Sequence, residues 1–198
     1  MKINKVKFLG AMIFITLLMD VVPFVGFMKI GSISITNLHI PAILTAIVLG
    51  PGYGLAVGTV FGIISLMRAV SRESAILDIL LQNPLISLLP RMCFPLLAGY
   101  AYQFMMKLFK QKGQLAAVAL ASLIGSVLNS FLVLSSLYMI YPDQFLACLD
   151  FSPEKSVFYS ILSAFGPNVL VESSLCIIAC TLFVYALPRL KQKIDKIS

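Results

Sequence analysis

Three ionisable side chains, Asp20, Arg91 and Glu172, lie inside long apolar stretches of the sequence. Because a charged group at membrane depth costs about 3 kcal/mol on insertion scales, such residues mark candidate binding or relay sites. Arg91 follows Pro90, and its planar guanidinium can hold a carboxylate through two parallel hydrogen bonds. Arg91 can instead pair with Asp20 or Glu172, or extend to the membrane interface. Glu172 can bind a ligand hydroxyl or amine, relay a proton or pair with Arg91, and we expect a structural or gating role for Asp20.

Four further polar residues are candidates for ligand contact. Asn129 and Asn168 lie in apolar runs, where a buried amide needs a partner on a neighbouring helix or on a ligand. Pro167 precedes Asn168 and is expected to open its helix locally. Asn83 either lines a ligand entrance or caps the following helix. His39 opens a helix, and an interfacial position is the more common one for such a residue.

Residue patterns that support catalysis or metal binding are missing from the sequence. His39 is the only histidine, and no phosphate-binding loop, zinc signature or nucleophile elbow is found. We interpret the cysteines as packing residues; they are Cys93, Cys148, Cys176 and Cys180. The sequence therefore predicts no cofactor, no metal and no ATP site in this chain, and it favours a function other than an enzyme.

The composition predicts an integral membrane protein. Of 198 residues, 60% are hydrophobic and 12% are charged, against about 25% charged residues in soluble domains. The apolar runs predict one membrane domain over residues 1–198, an all-α bundle of six transmembrane helices. The predicted helices cover about 7–27, 38–49, 53–67, 85–109, 115–141 and 156–187, and the second and third can also form one broken hairpin.

The basic residues predict the orientation of this bundle. Six spans place ten of them on one side, in the N-terminal segment, the loop after the fourth helix and the C-terminal tail: Lys2, Lys5, Lys7, Lys107, Lys110, Lys112, Arg189, Lys191, Lys193 and Lys196. Four lie on the other side: Lys29, Arg68, Arg72 and Lys155. Because cytoplasmic loops are rich in Lys and Arg, both termini are expected to be cytoplasmic.

Small residues mark two candidate contact surfaces. Gly54, Gly58 and Gly62 are four residues apart, so they share a helix face that another helix can approach closely. The spacing does not say whether that helix is internal or belongs to another subunit. Gly10 and Ala11 form a second small patch on the first helix.

The stretch from Thr36 to Tyr102 resembles the substrate-binding S component of an energy-coupling factor (ECF) transporter. The resemblance lies in His39-Ile40-Pro41-Ala42, Leu49-Gly50-Pro51-Gly52-Tyr53-Gly54, Gly58-Thr59-Val60-Phe61-Gly62, Asn83-Pro84-Leu85 and Leu89-Pro90-Arg91, and in Gly125-Ser126-Val127-Leu128-Asn129 further on. It implies a multi-pass protein of a bacterial plasma membrane that captures a vitamin outside the cell. Loops 1, 3 and 5 and the outer parts of helices 4–6 would line the site. A transmembrane coupling protein and two cytoplasmic ATPases would complete the importer.

Within the family, the segment from Gln82 to Arg91 is most similar to pantothenate-type S components. The resemblance implies that Arg91 holds the ligand carboxylate, and that Asn129, Asn168 and Glu172 meet its amide and hydroxyls. Asn83 and His39 complete the expected site.

Riboflavin, folate and a pyrimidine vitamin remain open as substrates. Docking on the coupling protein would use Gly10 and Ala11, although Phe14 and Ile15 replace the small residue expected four positions later. Gly54, Gly58 and Gly62 can share that role. A membrane assembly protein, a self-contained secondary transporter and an intramembrane enzyme are the alternatives of another class.

Overall fold

The computed structural model describes residues 4–22, 26–30, 33–71, 76–109, 113–149 and 156–186. The elements in these ranges are α1 Lys5–Val21, β1 Phe27–Ile30, β2 Ile33–Thr36, α2 His39–Leu49, α3 Pro51–Ser71, α4 Ile76–Leu80, α5 Pro84–Ser87, α6 Leu89–Phe109, α7 Gln114–Ile140, α8 Pro142–Ala147 and α9 Val157–Ala186. We call the end of the bundle that carries the strands, α4 and α8 the outer end. The end that carries the α2–α3 turn and the start of α1 is the inner end.

Each of the six predicted helices has a counterpart in the structure. Four segments are long and apolar enough to cross a membrane: 51–71, 84–109, 114–140 and 157–186. α1 has 17 residues and α2 only 11, so six complete spans stay a prediction, as do the cytoplasmic termini. Lys2 and the basic C-terminal tail, on which the predicted orientation partly rests, lie outside the described residues.

The all-helical prediction needs one correction, because β1 and β2 form a short antiparallel hairpin between α1 and α2. Phe27 pairs with Thr36, and Ile30 pairs with Ile33. The first helix was expected to continue to residue 27 but ends at Val21, and Val22 is extended with ψ of 117°. Pro23 follows in the sequence, and a residue before proline disfavours the helical conformation.

α2 lies at the centre of the bundle. Eight of its eleven residues are buried, and it contacts α1, α3, α6, α7 and α9. A helix that is apolar on all sides is stable only when neighbours surround it, which explains why so short a helix suffices here. Gly50, with φ of 112°, turns the chain from α2 into α3, and that conformation favours glycine.

The glycine face of α3 packs inside the chain. A Cβ atom on Gly54 would collide with α2, and one on Gly58 or Gly62 would collide with the segment of α5 and α6. This corrects the prediction that the face docks a partner, since the chain's own helices occupy it. Gly10 and Ala11 of α1 are exposed, so their docking role stays a prediction.

A small apolar cluster covers the outer end. Leu80, Ile86, Leu137 and Phe145 are its buried members, and Phe145 stacks on Phe165 of α9 with the ring centroids 6.3 Å apart. α4 and α8, which supply two of these residues, were not predicted because each is under seven residues long. They connect the long helices and close the outer end over the polar residues below.

Candidate functional site

Arg91 lies where the fourth predicted helix is interrupted. The helix predicted over 85–109 corresponds to one apolar span over 84–109, within which α5 ends at Ser87 and α6 begins at Leu89. Pro90 has no N–H, so the carbonyl of Ile86, four residues earlier, lacks its usual helical donor. Nη1 of Arg91 donates to that carbonyl at 2.6 Å. The Arg91 residue is 8% exposed, and its buried Nε has no hydrogen-bond partner.

An aromatic series connects Arg91 to His39. The guanidinium carbon lies 5.8 Å from the ring centroid of Phe61, which allows a cation–π attraction. Phe61 contacts Phe94 edge to face at 6.3 Å, and Phe94 contacts His39 in the same way at 6.5 Å. His39 is completely buried, so the expectation of an interfacial position is wrong. Its ring instead packs edge to face against Phe94.

Glu172 holds the hairpin against α9. It lies in the middle of this helix and is 6% exposed. Its Oε1 accepts a hydrogen bond of 2.6 Å from the backbone N–H of Thr36, the last residue of β2. No ion pair within 4.0 Å joins Glu172 to Arg91. The predicted direct pair is therefore not formed, and the guanidinium keeps an unused donor.

Asp20 forms its ion pair with Arg68, away from Arg91. Nε of Arg68 bonds to the Asp20 carboxylate, and Nη2 donates to the Asp20 carbonyl. The two side chains are 22% and 26% exposed. This pair joins the end of α1 to the end of α3, and it excludes the alternative in which Asp20 neutralises Arg91.

Polar residues of α7 and α9 meet beside Glu172. The hydroxyl of Ser173 donates to that of Ser126 at 3.2 Å. Asn129 lies one turn further outward on α7 and is 7% exposed, and its buried Oδ1 has no hydrogen-bond partner. Asn168 lies one turn outward from Glu172 on the same face of α9 and is partly buried. Helical register therefore places both asparagines on the outward side of the Ser126–Ser173 contact, and their role in a site stays a prediction.

Asn83 has a capping role at the start of α5. Its Oδ1 accepts from the N–H of Leu85 at 3.0 Å, and its Nδ2 donates to the Tyr141 hydroxyl at 3.3 Å. Both ends of the amide are thus engaged, as in the capping alternative that the sequence left open.

The expectation that Pro167 opens α9 is wrong, because this helix runs without interruption from Val157 to Ala186.

A family model described as ECF transporter, substrate-specific component, matches residues 8–185. The chain belongs to this family. It is also 29% identical over 106 residues to the pantothenate transporter PanT of Leuconostoc mesenteroides, a match over 50% of this chain and 52% of PanT. The chain thus spans about half the length of that curated relative. A solved structure of ThiT from Listeria monocytogenes superposes with a TM-score of 0.64 at 15% identity, covering 95% of this chain and 98% of that one, so it supports the fold.

The family assignment identifies a multi-pass membrane protein and a transport component. In this S component the outer half of the bundle presents an unused cationic donor on Arg91 and an unused acceptor on Asn129. In the part of the chain that the structure describes, no cluster of His, Cys, Asp and Glu could hold a metal. Sequence reasoning missed Thr36, Phe61 and Phe94. Thr36 acts through its backbone, which leaves no trace in the residue type, and the two phenylalanines resemble ordinary core residues.

Proposed function

We propose that this S component captures pantothenate or a closely related monocarboxylate vitamin, and that Arg91 anchors the ligand carboxylate. One observation carries the proposal: among the residues that the structure describes, this almost completely buried guanidinium has a donor without a partner and no carboxylate within 4.0 Å. A buried charge is costly unless it is paired and hydrogen-bonded. A ligand carboxylate supplies both the counter-charge and the missing acceptor.

The remaining groups fit the rest of such a ligand. Pantothenate carries one carboxylate, one amide and two hydroxyls. The free Oδ1 of Asn129 can accept from an amide N–H or a hydroxyl. Glu172 and Asn168, one turn apart on α9, can bind a hydroxyl. The match to PanT supports the same substrate class.

The family supports a larger assembly in the plasma membrane. In this proposal the S component delivers the vitamin through a transmembrane coupling protein driven by two cytoplasmic ATPases, and ATP is used by those partners. Gly10 and Ala11 are exposed on α1, and a Cβ on Gly10 would meet nothing within 4 Å. They remain the proposed docking patch, with both termini on the cytoplasmic side.

The test compares pantothenate with panthenol, in which an alcohol replaces the carboxylate. A ligand at a thousand-fold excess over its Kd stabilises the folded protein by about 4 kcal/mol. Detergent-purified protein should show a large thermal shift with pantothenate, a small one with panthenol, and none with pantothenate in Arg91→Gln. Arg68→Gln is the matched control and should keep the shift, because Arg68 pairs with Asp20. Equal shifts with both ligands, or a response only to riboflavin, folate or a pyrimidine vitamin, would reject the proposal.

A further inference from the structure

An open cavity lies at the inner end of the bundle, about three turns of α6 away from Arg91. Its volume is about 550 Å³, and its walls come from α1, α6 and the turn that joins α2 to α3. Leu9, Tyr53 and Ala56 give it an apolar lining, and Gln103 of α6 is a polar wall residue. Phe104 follows Gln103 directly, and Leu108 lies one turn after Phe104 toward the inner end. Each of these two residues is 58% exposed. The cavity therefore adjoins the exposed apolar face of α6.

Two lysines each lie one helical turn inward of a residue that lines this cavity. Nζ of Lys5 lies 5.6 Å from the ring centroid of Tyr53, and Lys5 precedes Leu9 by one helical turn on the same face of α1. Lys107 follows Gln103 by one turn on α6 in the same way. Both lysines are exposed. The site thus combines an apolar slot with a cationic rim, at the end of the bundle to which the basic segments of the sequence belong.

We propose that this cavity binds an anionic phospholipid of the inner leaflet. One acyl chain lies along the slot beside Leu9 and Ala56, and Lys5 and Lys107 contact the headgroup phosphate. Charge complementarity selects this occupant, because juxtamembrane lysines attract anionic headgroups. An apolar slot that adjoins the lipid-facing surface accepts a chain from the same molecule. The proposal uses the predicted orientation and does not depend on which vitamin binds at Arg91.

The absence of tryptophan from the chain permits a direct test. Gly52 lines the cavity, and a Cβ atom there would meet nothing within 4 Å, so Gly52→Trp places a single fluorophore at the site. The full chain is reconstituted into vesicles of phosphatidylcholine that contain brominated phosphatidylglycerol or brominated phosphatidylcholine. We expect the phosphatidylglycerol to reach half-maximal quenching at a lower mole fraction, with a preference of about fivefold for each contacting lysine.

Lys7→Gln is the matched control for Lys5→Gln. Lys7 lies two residues away on α1, which places it about 200° around the helix and off the cavity. Lys5→Gln and Lys107→Gln should each reduce the phosphatidylglycerol preference about fivefold, whereas Lys7→Gln should leave it unchanged. Equal losses in Lys5→Gln and Lys7→Gln would show attraction to surface charge alone and would overturn the proposal.

Quenching that is equal for both lipids would also overturn it. Absence of quenching by either lipid would assign the cavity to another occupant, such as a segment of the coupling protein. Native mass spectrometry of the chain with Gly52 intact gives a second readout. It should retain phosphatidylglycerol in the unsubstituted protein and lose it in the Lys5→Gln, Lys107→Gln double variant.

Discussion

The guanidinium of Arg91 donates a hydrogen bond to the carbonyl of Ile86, the acceptor that Pro90, four positions further on, leaves without a helical donor. A helix break and a buried charge thereby stabilise each other. The carbonyl receives the donor it lacks, and one end of the guanidinium is held while its Nε has no hydrogen-bond partner among the described residues. Two adjacent residues of the sequence, Pro90 and Arg91, thus produce both the freed carbonyl and the donor that occupies it.

Pro90→Ala is expected to weaken pantothenate binding without unfolding the protein. The new N–H at position 90 can donate to the carbonyl of Ile86 and replace the Arg91 bond, so the guanidinium loses its fixed orientation. The loss of one such hydrogen bond corresponds to about 0.5–1.5 kcal/mol, or about 2- to 12-fold in Kd. Isothermal titration calorimetry measures the Kd, and thermal melts should change little. An unchanged Kd would show that this bond does not orient the anchor.

Gly58→Ala is expected to destabilise the protein by about 1–3 kcal/mol. The added Cβ would collide with the carbonyl of Arg91 and with the Pro95 ring, so α3 and α6 must separate and Arg91 must move. Gly52→Ala is the matched control on the same helix, because its Cβ meets nothing within 4 Å. It should keep or raise stability, since alanine is the better helix former.

Denaturant unfolding in detergent measures both glycine variants. Pantothenate affinity should fall in Gly58→Ala as well, because the Arg91 backbone is displaced. If the two variants were equally stable, the close approach of α3 to α6 would not constrain the site.

The long helices could be predicted because each spans a run of apolar residues that lipid or the core must cover. The hairpin could not, because four-residue strands give too short an alternation to distinguish from a loop. The break at Leu88 was missed although Pro90 was noted, because proline near a helix start is compatible with a continuous helix. The effect of Pro90 depends on whether a nearby donor binds the carbonyl of Ile86, which the proline leaves without a helical partner.

The residues of the candidate site could be singled out from the sequence, whereas their pairings could not. Arg91, Asn129 and Glu172 stood out because polar groups are costly among apolar residues. Which carboxylate meets which arginine depends on the three-dimensional packing of distant helices, so the pairing of Asp20 with Arg68 could not be read from the sequence. The sequence allowed Asn83 to be either a helix cap or a site residue. The structure shows that the Oδ1 and the Nδ2 of its amide are both hydrogen-bonded.

Asp20→Asn is expected to lower stability by less than about 1 kcal/mol, because an ion pair with both side chains partly exposed is screened by solvent. Pantothenate Kd should not change, since Asp20 contacts Arg68 and not Arg91. A double-mutant cycle with Arg68→Gln should give a coupling of similar size. A marked change in Kd would indicate that Asp20 acts on the ligand site after all.

Glu172→Ala is expected to loosen the hairpin, whereas Glu172→Gln should retain it. The backbone N–H of Thr36 donates to the Glu172 carboxylate. Alanine removes this acceptor at a cost of about 1–3 kcal/mol, while the glutamine amide oxygen replaces it. Hydrogen–deuterium exchange mass spectrometry of the hairpin peptide measures the exchange rate of the Thr36 amide. This rate should increase about 5- to 150-fold in the alanine variant and much less in the glutamine variant. The buried α2 segment provides the internal reference and should keep its rate. Equal exchange of the hairpin in all three proteins would mean that other contacts hold it on α9, and that Glu172 is available to the ligand alone.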